Sequence, residues 1–222
     1  MLGISKQAMK ERYFNKYNIQ EISKQIKDRA SQFARGKSFV WQADQSVLLV
    51  LDMQKVFLSD ESKAHIPSSE AILPGIDQLV SVCRDNNIPI IYTRHINDSK
   101  NAGMMSSWWH RLIEKEDSFS KLIYKGNLHI IEKPQYDAFY KTSLEKTLSE
   151  LGKNQLILCG IMTNLCCETT LRSAFVRGFQ AVLPIDTTAT YNRDLHQSSI
   201  SNLAMGFCPP VLSGELIKQI KK

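Results

Sequence analysis

Three residues of the chain combine a reactive type with a position at the end of an apolar run. Asp52 directly follows residues 47–51 (VLLVL), Lys133 closes HIIEK, and Cys166 opens a helix-period segment after residues 155–159 (QLILC). A carboxylate leaving a buried strand into a crevice partly shielded from water is suited to proton transfer. Taken alone, Asp52 could equally cap a following turn. Aspartyl-nucleophile phosphatase chemistry is disfavoured, because position 54 is Gln rather than a second Asp. Thr163 is placed as an N-cap, which puts Cys166 in the first helical turn, where the dipole and free N–H groups stabilise a thiolate or hold an oxyanion. That singles it out from Cys83, Cys159, Cys167 and Cys208, with a small core thiol as the competing reading. Cys167 faces elsewhere, a helical step of about 100° away, and reads as structural. Pro134 forces Lys133 into extended geometry, and a lysine there lowers a thiol pKa and receives developing negative charge. A solvated surface lysine is the alternative for Lys133 by itself.

The elements that must position these groups are legible as short apolar runs, 47–51, 88–92, 129–131, 155–159 and 181–185, of the kind buried parallel strands show. Helix-period segments fall between them at 75–86, 141–151 and 164–177. Alternation of this kind predicts a three-layer α/β/α domain with a mostly parallel sheet, and such folds bind ligands at the carboxyl ends of strands. Residues 5–35 carry apolar positions at helical spacing and predict an N-terminal helical arm, packed on the catalytic domain or on a neighbouring subunit. The division expected is an arm over 1–36 and one α/β domain over 37–222.

Bulk properties narrow the classes. A chain of 222 residues, 43% hydrophobic and 23% charged, buries one sizeable core. No run approaches a membrane span, and residues 1–27 lack the apolar block of a secretory signal, so a cytoplasmic location and no membrane contact are expected. The five cysteines have no repeated spacing, which favours neither a disulfide framework nor a zinc site. The net charge of +6 is spread along the chain, so no nucleic-acid partner is expected.

The blocks VLLVLDMQ, EKPQYDAFYKTSLEKTL and GIMTNLCCETTLRSAFVRGF resemble the signature blocks of isochorismatase-like cysteine hydrolases, over roughly residues 47–207. The family embraces nicotinamidases, N-carbamoyl amino-acid and ureidoacrylate amidohydrolases, and isochorismatases. The resemblance implies Cys166 as nucleophile, Asp52 as base and Lys133 as the third member of a triad. It also implies a non-proline cis peptide joining Ile161 and Met162, with the backbone N–H groups of Met162 and Cys166 forming an oxyanion hole. Where the family has a branched aliphatic after the nucleophile, this chain has Cys167, a modest change in volume. Nicotinamidases carry an Asp-x-His metal pair after the first strand, and here Asp60 and His65 stand at the wrong spacing, so no catalytic metal and no cofactor are expected.

Gln54, Phe57, Arg94, Trp108, Trp109, Tyr136, Phe139 and Tyr140 fall on expected strand exits or their loops and are candidates to line a small-molecule pocket. Packing against the core or a dimer partner is the alternative for the two tryptophans. By the resemblance His95, in YTRH, matches a histidine that nicotinamidases use, but a lone histidine is more often a hydrogen-bonded structural group, and His196 also reads as structural. The activity implied is hydrolysis of a small amide or ureide by a homodimer or higher homo-oligomer, with vinyl-ether hydrolysis of isochorismate as the alternative. A thiol sensor built on Cys166 and Cys167 is a third reading, weakened because redox motifs space their cysteines so that a relaxed disulfide can close.

Overall fold

The computed structural model describes residues 9–34, 36 and 40–221. Its centre is a six-stranded sheet of β1 (Ser46–Leu51), β2 (Ile90–His95), β3 (His129–Lys133), β4 (Gln155–Ile161), β5 (Gln180–Val182) and β6 (Thr188–Ala189). The order is β3-β2-β1-β4-β5, every pairing is parallel, and β6 joins β4 where β5 has ended. All residues of β1 and β4 are buried, which is why both read as unbroken apolar runs rather than alternating ones. The flanking helices are α1 (Ile19–Ala34), α2 (Lys55–Leu58), α3 (Ser69–Asp85), α4 (Met105–Trp109), α5 (Leu144–Glu150), α6 (Glu168–Val176), α7 (Arg193–Gly206) and α8 (Ser213–Ile220). The expected mostly parallel sheet between helices is the architecture found.

The two central strands meet too closely for any side chain at Gly160. A Cβ there would lie 2.1 Å from the Leu51 carbonyl oxygen, and the residue has φ +113°, a conformation open to glycine. This close approach sets the end of β1, and hence Asp52, directly beside the turn that leaves β4.

The N-terminal arm departs from expectation. Helix begins only at Ile19, and residues 10–18 run across the surface as a non-helical strap; residues 5–8 and 35 of the expected helix lie outside the described residues. The Asn15 side chain explains the break, since its Oδ1 accepts the N–H groups of Tyr17 and Asn18 and turns the chain before the helix. Phe14, Ile26 and Ala30 join the same buried cluster as β1 and β4.

Candidate active site

Asp52, Lys133 and Cys166 meet at the carboxyl ends of β1, β3 and β4. Asp52 has φ +51°, in the left-handed region that Asp tolerates better than most residues. Thr93, from the end of β2, fixes its carboxylate. The Thr93 hydroxyl donates to Asp52 Oδ1 at 2.6 Å and accepts the Asp52 N–H at 3.2 Å. The Lys133 ammonium has three donors and three partners: Asp52 Oδ2 at 2.7 Å, the Gln135 carbonyl at 3.0 Å and Cys166 Sγ at 3.2 Å. Asp52 and Lys133 are fully buried, and Cys166 is 6% exposed.

Burial, the largest single influence, would raise the Asp52 carboxyl, but the charges of Lys133 and His95 and the hydrogen bonds from Cys166 and Lys133 together hold the group below the usual carboxylate range. Burial would likewise lower the Lys133 ammonium, and Asp52 and Cys166 together, by charge and hydrogen bonding, hold it above the ordinary lysine value. The Cys166 thiol is pushed up, first by burial and then by the Asp52 negative charge, against the pull of Lys133. Lys133 thus lies within reach of both the Asp52 carboxylate and the Cys166 sulfur, and burial and the Asp52 charge work against the thiolate that Lys133 was expected to favour.

The turn carrying Cys166 also differs from expectation. Residues Thr163–Cys167 form a single π-helical turn leading into α6, while the Ile161–Met162 peptide is cis, as the resemblance implied. Thr163 is not an N-cap. Its hydroxyl lies 3.0 Å from Thr188 Oγ1 and 2.9 Å from His196 Nδ1, inside the protein. Cys167 is buried, with the Thr188 hydroxyl donating to its sulfur at 3.5 Å. All five cysteines are free.

Of the eight candidate pocket residues, the structure gathers three around Gln135, whose carbonyl accepts from the Lys133 ammonium. Trp108 and Tyr136, with Met104, Met105 and Gln135, line a shallow cavity of about 280 Å³, and the Trp109 indole donates to the Tyr136 hydroxyl at 2.6 Å. The others have different tasks. Gln54 is fully buried: its amide donates to the His95 and Ser120 carbonyls at 3.0 and 2.8 Å and accepts the His95 N–H at 2.7 Å, leaving the group committed to backbone. Arg94 pairs with Glu132, its register partner on β3, while Thr93, His95 and Lys133 alternate to the opposite face. Phe139 is core, stacked near Phe179 at 5.7 Å, and Tyr140 is exposed beside Lys141. Phe57 is half-buried against the core.

The candidate site residues did not include Thr93, Gln135 or the methionines Met104 and Met105. Thr93 had a signal, since it stands in YTRH at the exit of the strand beside β1; a backbone carbonyl such as that of Gln135 leaves none. His95 lies beside Asp52 and Lys133, but burial, reinforced by the Lys133 charge, pushes its ring down to about 4, and its Nε2 is 3.1 Å from Asn97 Nδ2. Among the described residues no group of three His, Cys, Asp or Glu side chains is placed to hold a metal ion. No helix among them is long and apolar enough to cross a membrane.

A parallel sheet with a buried carboxylate, lysine and thiol at its carboxyl end defines a class of hydrolases. The sequence matches the isochorismatase domain over residues 46–215, and the chain belongs to that family. It is 36% identical over 170 residues to nicotinamidase 3 of Arabidopsis thaliana, covering 73% of this chain and 82% of that one. It is 29% identical over 185 residues to enterobactin synthase component B of Escherichia coli K12, covering 81% of this chain but only 65% of the relative's length. The structure of a cysteine hydrolase from Pseudomonas syringae pv. phaseolicola 1448A superposes with a TM-score of 0.79 at 25% identity, over 84% of this chain and 98% of that one. The protein is an isochorismatase-family hydrolase.

Proposed function

We propose that the protein hydrolyses the C–N bond of a small amide or ureide through an acyl-enzyme on Cys166. The observation that carries this reading is the enclosed contact of Cys166 Sγ with Lys133 Nζ at 3.2 Å, with the same ammonium 2.7 Å from Asp52. As a substrate carbonyl reaches the thiol, Asp52 accepts the proton, sulfur bonds to the carbonyl carbon, and Lys133 balances the charge left behind. The oxyanion is received by the backbone N–H groups of Met162 and Cys166. The proton then passes from Asp52 to the departing nitrogen, and water cleaves the thioester to release the acid. No metal or cofactor is required.

The alternative, vinyl-ether cleavage of isochorismate, calls for an aspartic acid that carries a proton at neutral pH. Lys133 holds Asp52 in the opposite direction. Two relatives, a nicotinamidase and a cysteine hydrolase, carry names that fit amide or thiol chemistry, while the family's own name fits the alternative. Intact-mass analysis of the enzyme mixed separately with nicotinamide, a panel of ureides and isochorismate tests the proposal. An acyl adduct on Cys166 and loss of several orders of magnitude in turnover in Cys166→Ala are expected. Turnover of isochorismate that survives Cys166→Ala, with no amide cleaved, would establish the alternative.

A further inference from the structure

The strap formed by residues 10–18 lies far from Cys166 in sequence, yet two chains of contacts lead from it to the first two residues of the nucleophile turn. In the first, the rings of Tyr13 and Phe14 enclose the His196 ring, with centroids 5.4 and 5.3 Å away, and His196 Nδ1 lies 2.9 Å from the Thr163 hydroxyl. In the second, the Tyr13 hydroxyl accepts the Thr190 N–H at 3.0 Å, and the Thr190 hydroxyl donates to Asn164 Oδ1 at 2.5 Å. Tyr13 is the residue common to both. It is held in place by its neighbours: Glu11 N–H donates to the Tyr191 carbonyl at 2.7 Å, and Phe14 N–H to Ser68 Oγ at 3.1 Å.

We infer that Tyr13 is a positioning residue for the nucleophile, fixing the Thr163–Cys167 turn through His196–Thr163 and Thr190–Asn164. The inference rests on the proposed role of Cys166. The geometry gives a physical reason: a π-helical turn lacks the regular i→i−4 ladder that stiffens an α-helix, so the sulfur's position depends on outside anchors. His196 is suited to the task, being fully buried and kept neutral across the physiological range by that burial, so its contact with Thr163 does not vary with pH. Misplacing a reacting atom by an ångström is enough to slow chemistry about a hundredfold without loosening substrate binding.

The test uses the full chain and two readouts: the rate at which iodoacetamide alkylates Cys166, followed by peptide mass spectrometry, and kcat against KM on whichever amide is cleaved. Thr163→Val and Tyr13→Ala are expected to change the alkylation rate and to lower kcat about tenfold or more, with KM within about twofold of wild type. Thr163→Ser is expected to recover most of the loss. Tyr13→Phe, which keeps the ring and removes only the hydroxyl, should fall between. Tyr17→Ala, on the same strap but 85% exposed, is the control expected to match wild type. Should Tyr13→Ala fail to fold, Tyr13→Phe and Thr163→Val still decide the matter. Folded Tyr13→Phe and Thr163→Val proteins with wild-type kcat and alkylation rate would overturn the inference. Activity that survives Cys166→Ala would instead defeat the proposed function, while the alkylation rates would still report on the turn.

Discussion

Asp52→Asn isolates charge at the site, because asparagine tolerates the φ of +51° found there and keeps the hydrogen bond to Thr93 possible. What remains is Lys133, fully buried beside an uncharged amide. Removing one partner of a buried ion pair costs about 3–5 kcal/mol, and chemical denaturation should show a loss of that order. Turnover should fall by about a thousandfold or more, since no group is left to take the thiol proton. The same pair sets the pH dependence. Asp52 is lowered in the folded protein, so its contribution to stability is present above its unfolded value and is lost as pH falls through the folded one. Lys133 is raised, so its contribution is present below the ordinary value of 10.5 and is lost only as pH rises through a higher one. Both limbs lie outside the neutral range. A kcat/KM profile that is flat from about pH 6 to about pH 9 is expected, and a limb near pH 7 would place a different group in the rate-determining step.

Strands carry the positioning of these groups, and β1 and β4 carry most of it. Gly160→Ala would drive a methyl to within 2.1 Å of the Leu51 carbonyl oxygen at a backbone angle that alanine resists. Backbone cannot yield as a flexible side chain does, so a loss of about 3 kcal/mol or more, or failure to accumulate soluble protein, is expected in an expression and melting assay. At this scale the sequence is informative where burial is two-sided. VLLVL and QLILC read as buried strands because both faces of β1 and β4 are covered, and the polar residues just beyond them were therefore conspicuous. The same reasoning did not anticipate the partners of Gln54 and Arg94. Both sit at strand exits, but which way a side chain turns there depends on register with neighbouring strands, and that is set by pairings distant in sequence. The burial of Phe139 was hidden for a related reason: a loop aromatic lines a pocket or enters the core according to what approaches it, here Phe179 and Arg177. Thr163 resembled an N-cap because its spacing fits one, and only β6, two residues long, reveals that the hydroxyl is turned inward to Thr188.

Across the whole molecule, the N-terminal segment is bound into the core rather than resting on it. Phe14 is 1% exposed, and Ile26 and Ala30 are wholly buried. α1 lies against α7, and Lys27 forms an ion pair with Glu215 of α8, so three separated stretches of sequence close over one apolar cluster. Cooperative unfolding follows from such packing, because removing the segment would expose both its own apolar face and the one it covers. Ile26→Ala tests this at a position far from the site. Truncating a fully buried isoleucine costs about 2–5 kcal/mol, and in a chain of this length the melting midpoint should fall by roughly 5–15 °C. The fall should be the same by far-ultraviolet circular dichroism, which sees α1, and by fluorescence of Trp41, Trp108 and Trp109, which lie outside it. If the arm melted as a separate unit, the dichroism would show an early partial transition while the fluorescence midpoint stayed at the wild-type value. A single shared shift is the expected result, and it would make the strap's hold on the nucleophile turn as durable as the fold itself.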